Sequence, residues 1–338
     1  MKRFAIGSAL LLLLPILALA GLVVFGTSKP PALLPSITNP FSSMDYSALP
    51  PLKQYQARDG ARLSFRTYVA GGKQVAVLIH GSAGSSSDMH ALAMALQRSG
   101  ITVYVPDLRG HGANFPHGDI AYAGQLDDDM TDLLTQIKPA FSDAKQTLVG
   151  FSSGGGFALR VAADSPLGLF FDRYVLLSPY LRYDAPTLRT NAAKGPELKT
   201  DEGKSSGPVA EQTWAKAFTG RIIGLTILNR FGIHAFDGLP VVAFGVPPNV
   251  ASVTKSYSLR LQQNFEPHDD YLADIRAVSR PMHIFVGGAD ELFIPEKMQE
   301  VFHSQRSDIP VTILPGLSHS DMVTSPEAIQ AVVATFQQ

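Results

Sequence analysis

A serine becomes a nucleophile only where a base can take its proton, and G-x-S-x-G is one spacing that holds a serine for this purpose. The sequence contains the spacing twice, as Gly150-Phe151-Ser152-Ser153-Gly154 and as Gly203-Lys204-Ser205-Ser206-Gly207. The chemistry needs a strand running into a sharp turn and a helix starting at once. The glycines let the backbones close up while the serine sits strained at the apex. Ser152 follows Thr147-Leu148-Val149 and precedes Gly155-Gly156-Phe157-Ala158-Leu159, which suits that geometry. Ser205 follows Lys199-Thr200-Asp201-Glu202, where no buried strand can lie. Ser152 is the expected nucleophile, and Ser205 is a chance match.

Ser152 then needs a histidine oriented by an acid. In a parallel sheet, functional groups gather beyond the carboxyl ends of the strands. His319 ends the turn Pro315-Gly316-Leu317-Ser318-His319 after an apolar run at 311–314, just ahead of the last helical stretch. Asp290 closes Gly287-Gly288-Ala289-Asp290 after the run at 282–286, with Glu291 as the alternative acid. The oxyanion of an acyl-transfer intermediate needs donors already in place, which backbone N–H groups supply. Ser153, next to the nucleophile, should give one. Ser82, in the turn His80-Gly81-Ser82-Ala83-Gly84, is the candidate for the other. His80 itself is expected to order that turn and do no chemistry.

The elements that would carry these residues are legible as alternating apolar runs and amphipathic stretches. Strands are expected at 55–58 and 63–69 around the Asp59-Gly60 turn, then at 75–79, 101–105, 147–149, 174–177, 282–286 and 311–314. Helices are expected at 89–98, 123–137, 155–163, 296–302 and 326–336. Short apolar strands separated by helices predict an α/β fold, a mainly parallel sheet with helices on both faces. Residues 183 to about 265 break the alternation. Their own apolar surface (Trp214, Phe218, Ile222 and Leu225 at near-helical spacing, and 241–246) marks an inserted cap over the strand ends.

The N-terminus is of another kind. Lys2 and Arg3 precede an uncharged run at 4–26, long enough as a helix, at about 1.5 Å per residue, to span a bilayer core of roughly 30 Å. Residues 1–26 are read as a transmembrane anchor or a signal peptide, since Ala18-Leu19-Ala20 resembles a cleavage site. Leu22 to Phe25 carry the apolar run past that site, which favours the anchor. Either way the positive flank stays inside and the domain at 52–338 is exported, so the membrane is an expected partner through this segment. The Pro-rich stretch at 27–51 reads as a semi-extended linker.

Composition excludes other chemistries. There is no cysteine, hence no thiolate nucleophile, disulfide or cysteine metal site. A net charge of -1 offers no basic stripe for nucleic acid. No H-E-x-x-H is present, Leu198 stands where a P-loop needs glycine, and Leu159 stands where a dinucleotide fingerprint needs its third glycine. No metal or cofactor is expected.

His80-Gly81, Asp107-Leu108-Arg109-Gly110-His111-Gly112, Gly150 to Gly154, Gly288-Ala289-Asp290 and Ser318-His319, in this order, resemble the α/β-hydrolase superfamily. More narrowly they resemble its monoacylglycerol lipase and lysophospholipase-like branch, although Ser153 departs from the residue those lipases often carry there. The resemblance covers about 52–338. It implies nucleophile Ser152, acid Asp290, base His319 and oxyanion donors Ser82 and Ser153, with Arg109 and His111 as scaffold. The expected activity is hydrolysis of a carboxylic ester, the expected substrates being lipid-like small molecules. A proline-type aminopeptidase on the same fold is the alternative enzyme, with Asp201, Glu202, Glu211 and Glu266 available to hold a substrate ammonium. A non-catalytic binding module is the alternative of another class.

Overall fold

The strands of the core are apolar at nearly every position because both faces of their sheet are covered. Along residues 74–79, Val75, Val77 and Ile79 enter one hydrophobic cluster while Ala76 and Leu78 enter a second on the opposite face. Residues 173–177 divide the same way, with Tyr174 and Leu176 on one side and Val175 and Leu177 on the other. This is the period of two that a pleated strand imposes. A computed structural model describes residues 2–140, 144–164, 166–189 and 213–337, with side chains from residue 14 onward.

In chain order the described elements are helices α1 (Lys2–Phe25) and α2 (Pro35–Ser42), then strands β1 (Lys53–Gln56), β2 (Arg62–Tyr68) and β3 (Gln74–Ile79). Next come α3 (His90–Arg98), β4 (Thr102–Pro106), α4 (Gln125–Ile137), β5 (Lys145–Phe151), α5 (Ser153–Ala163) and β6 (Arg173–Leu177). The cap contributes β7 (Ala215–Ala217), α6 (Thr219–Arg230), β8 (Pro240–Phe244), β9 (Ser256–Ser258) and α7 (Leu259–Asn264). The chain then returns with α8 (Tyr271–Ala277), β10 (Met282–Gly287), α9 (Pro295–Gln305), β11 (Val311–Leu314), α10 (Asp321–Thr324) and α11 (Pro326–Thr335).

The main sheet has the order β1-β2-β4-β3-β5-β6-β10-β11. The β1–β2 pairing is antiparallel, as the Asp59-Gly60 turn predicts, β2 also pairs antiparallel with β4, and the remaining pairings are parallel. The registers Ile79↔Gly150, Phe151↔Leu177 and Gly287↔Leu314 set the ends of β3, β5, β6, β10 and β11 along one edge. One face is covered by α4, α5 and α9 through residues such as Leu133, Phe157 and Met298. The other face is covered by α3, α10 and α11 through Leu92, Met322 and Val332.

Two expectations need correction. The cap is not one helix from Trp214 onward: Trp214 precedes β7, and α6 begins only at Thr219. Here β7, β8 and β9 form a small antiparallel sheet, whose pairing ends the helical spacing. The stretch at 27–51 is more than a spacer, since α2 forms within it. Pro35 at the helix start costs no hydrogen bond there, and Ile37 supplies a side chain that the body buries to 5% exposure.

The end of α1 also docks on the cap. Val23 packs with Leu225, Val241 and Leu259, and the Arg221 guanidinium donates to the Val23 and Val24 carbonyls. Among the residues described with their side chains, which take in only 14–25 of α1, no helix is long and apolar enough to cross a membrane. The second G-x-S-x-G match, Leu198 and the acids Asp201, Glu202 and Glu211 lie outside the described residues.

Candidate active site

The turn that carries Ser152 is built by close approach. A side chain at Gly150 would stand 2.1 Å from the Gly154 carbonyl, and one at Gly154 would stand 2.4 Å from the His80 carbonyl. Only glycine fits at either position, so β5 passes straight into α5 against the end of β3. Ser152 takes up the curvature with φ 55°, ψ -121°, a left-handed conformation that costs a non-glycine residue of order 1–3 kcal/mol. Its backbone is tied on both sides: the N–H donates to the Leu177 carbonyl at 2.9 Å, and its carbonyl accepts from Gly155, Gly156 and Tyr180. The network holds the strain in place and turns the side chain toward the strand ends.

Two donors lie beside it without acceptors. Among the described residues, neither the Ser82 N–H nor the Ser153 N–H donates to a protein group, although their hydroxyls bond each other at 2.5 Å. Ala83 holds the turn after β3 with φ 62°, and its N–H donates to the Tyr257 hydroxyl at 2.6 Å. Tyr257 in turn donates to His111 Nε2 at 2.6 Å, and His111 Nδ1 donates to the Arg109 carbonyl at 3.1 Å. A cap residue thus fixes the loop that presents Ser82. His80 is fully buried, donating from Nδ1 to the Gly81 carbonyl at 2.8 Å and accepting at Nε2 from the Leu108 N–H at 3.2 Å. Arg109 pairs with Asp129 at 2.8 and 2.7 Å. Both act as framework.

Asp290 and His319 meet after β10 and β11. His319 Nδ1 donates to Asp290 Oδ2 at 2.9 Å, and Asp290 Oδ1 accepts from the Leu292 and Phe293 N–H groups, each at 2.9 Å. Burial opposes ionisation of Asp290. The His319 charge and these hydrogen bonds, helped by the nearby Ser178 hydroxyl (which closes no full hydrogen bond), still hold its carboxyl below the ordinary range. The imidazole sits between Phe151 and Phe293, with ring centroids 4.9 and 5.1 Å away. Glu291, the alternative acid, does not touch the imidazole; its Oε2 accepts the His319 backbone N–H at 2.9 Å. Glu291 and Tyr257 were not foreseen as positioning residues.

Ser152, His319, Ser82 and Gly81 open on one cavity of about 630 Å³. The Ser152 hydroxyl closes no hydrogen bond among the described residues, and such bonds are commonly long until substrate fills a site. Phe41, Trp214, Val246, Val250 and Leu292 make the rest of the wall largely apolar. Of the cap side chains expected to face substrate, Trp214 lines this space, whereas Phe218, Ile222 and Leu225 do not; Ile222 and Leu225 pack in the cluster around Val23. No group of three or more metal-ligating side chains occurs among the described residues.

Comparison with known proteins agrees with this architecture. The profile of the Alpha/beta hydrolase family matches residues 76–332. An uncharacterised protein of Mycobacterium tuberculosis is 34% identical over 130 residues, 38% of this chain and 35% of that one. A Danio rerio protein named as an sn-1-specific diacylglycerol lipase is 36% identical over 91 residues, 27% of each chain. The chain therefore spans about a third or less of the length of these curated relatives. Among solved structures, the Saccharomyces cerevisiae monoglyceride lipase superposes with a TM-score of 0.61 at 18% identity, covering 88% of this chain and 96% of that one. The Paleococcus ferrophilus monoacylglycerol lipase gives 0.57 at 19%, covering 81% and 98%.

Two predictions follow from the electrostatics. Asp290→Asn keeps the shape but loses the charge and the tautomer it enforces, so kcat on an activated ester should fall by roughly 10⁴-fold in steady-state assays. Glu266 is buried beside Gln262, and burial pushes its carboxyl up to about 7 from an ordinary 4.5. The native state then keeps a proton that the unfolded chain releases, so stability declines as pH rises from about 4.5 to about 7. Urea unfolding of Glu266→Gln should show a shallower decline over that window, by on the order of 3 kcal/mol.

Proposed function

The chain belongs to the alpha/beta hydrolase family, and from that premise we propose that it is a serine hydrolase of lipase type that cleaves carboxylic esters through an acyl-enzyme on Ser152. The observation that carries the reading is one apolar cavity on which the strained Ser152, the Ser82 turn and His319 all open, with Asp290 bonded behind His319 and the unclaimed Ser153 N–H next to Ser152.

In the proposed reaction His319 takes the Ser152 hydroxyl proton as Oγ bonds to the ester carbon. The carbonyl electrons move to oxygen, where the Ser82 and Ser153 N–H groups receive the charge. Each such donor is typically worth about 2.7–4 kcal/mol of barrier. The carbon–oxygen bond to the alcohol then breaks, and the imidazolium returns its proton to that alcohol. Water, deprotonated by His319, adds to the acyl carbon; the bond from that carbon to Ser152 Oγ then breaks, the imidazolium returns its proton to Oγ, and the acid leaves. Asp290 keeps Nδ1 protonated, leaving the other nitrogen free for these transfers. No step calls for a cofactor.

A volume of about 630 Å³ bounded mainly by apolar side chains supports a lipid-like acyl group as the substrate's larger part. The lipase names of the Danio rerio relative and of the two structural neighbours point the same way. For the aminopeptidase alternative, Glu266 is the one of its four acids within the described residues. It does not line the cavity, and its carboxyl is raised toward neutrality.

A fluorophosphonate probe should label the wild-type chain and leave Ser152→Ala unlabelled. Model esters should be hydrolysed in preference to prolyl peptides. Equal inertness of the two chains toward the probe would favour a binding module instead.

We further propose, from the uncharged run at 4–26 behind Lys2 and Arg3, that the N-terminal segment tethers an exported domain to a membrane. The full chain should then stay with the membrane pellet after alkaline carbonate extraction. Its release into the supernatant at full length would remove the tether.

A further inference from the structure

The cavity wall has a second contributor besides the cap and the body. Ile37, Thr38, Phe41, Tyr46, Leu49 and Leu52, all ahead of β1 or at its threshold, line the space that also holds Ser152 and His319. They come from a segment whose sequence reads mostly as a linker, and the segment is fastened rather than draped. Ser320, next to the base, donates from its hydroxyl to the Ile37 carbonyl at 3.0 Å. Phe41 packs on the cluster that includes Met322 and Val323. The Tyr46 hydroxyl donates to the Phe41 carbonyl at 2.9 Å, its ring stacks on His90 with centroids 6.0 Å apart, and Arg66 donates to the Pro50 carbonyl.

Upstream the same segment is bound to the cap. The Ala32 carbonyl lies so close over Gly245 that a side chain there would stand 2.2 Å from it, and the Arg221 N–H donates to the Gly26 carbonyl at 3.1 Å. The N-terminal segment therefore crosses from the cap to the loop of the catalytic histidine, along one side of the cavity.

We propose that residues 35–52 form a strap that closes the acyl pocket and sets the length of acyl chain the enzyme accepts. The inference rests on the ester-hydrolase reading above and assigns the specificity of that site to the N-terminal segment as well as the cap. Each methylene that the pocket can still shelter is worth about fourfold in kcat/KM, so a wall that moves by two or three methylenes changes chain-length preference by tenfold or more. Thr38, half-buried and lining the cavity, is where added bulk shortens the pocket; Phe41 is where lost bulk lengthens it.

The test uses the full chain and p-nitrophenyl esters from butyrate to hexadecanoate. Thr38→Trp should lower the ratio of kcat/KM for dodecanoate over butyrate about tenfold, and Phe41→Ala should move the preferred length upward. Thr38→Trp alters a partly exposed position, so it keeps the comparison open if Phe41→Ala unfolds. An unmoved preferred length in a folded Thr38→Trp, or a parallel drop on every ester, would overturn the strap while leaving the hydrolase reading intact. A wild-type chain that turns over no ester would overturn both.

Discussion

The site depends on the absence of space between β5 and α5. Gly150 faces the Gly154 carbonyl, and Gly154 faces the carbonyls of Ile79 and His80, at distances that exclude even a methyl group. That contact forces Ser152 into a left-handed conformation, seats Ser153 at the first position of a helix with a free N–H, and brings the turn after β3 alongside. The strain at one residue is thereby the common cause of a Ser152 side chain on the cavity and an unclaimed N–H placed next to it. Everything else at the site adjusts the partners of this turn.

Those partners arrive by sheet register. Because β3, β5, β6, β10 and β11 are parallel and adjacent in the order given, the loops after them open on the same edge. Burial favours the Asp290–His319 pair in two opposed ways. It penalises a bare carboxylate, yet it also strengthens the three hydrogen bonds that keep Asp290 charged. Tyr257 and Glu291 work at one remove. The first fixes the turn at Ser82 from the cap, and the second fixes the backbone of His319.

Much of this is legible in the sequence for a physical reason. Ser152, Asp290 and His319 each end a turn behind an apolar strand, so local pattern alone places them at strand ends, and the structure brings Asp290 and His319 into contact there. The turn at Ser82 follows β3 in the same way. The strap, Tyr257 and Glu291 leave no such signature. Their roles consist of contacts with backbone groups or with residues distant in sequence, such as Ser320 with Ile37 across 283 positions. Prolines at 30, 31, 35, 40, 50 and 51 made the segment at 27–51 look like a spacer, but proline at a helix start is compatible with α2. Trp214 shows the reverse error. Its spacing to Phe218, Ile222 and Leu225 imitates a helix, whereas β7 intervenes and sends it to the cavity wall instead.

The central claim is that one side chain carries the acyl group between two half-reactions, and trapping that intermediate tests it most directly. Acid quenching during turnover of a p-nitrophenyl ester, followed by mass analysis of the peptide containing residues 144–164, should find the acyl mass on Ser152. An acyl group on a different residue, or steady turnover with no covalent adduct under conditions where deacylation is slow, would contradict the account.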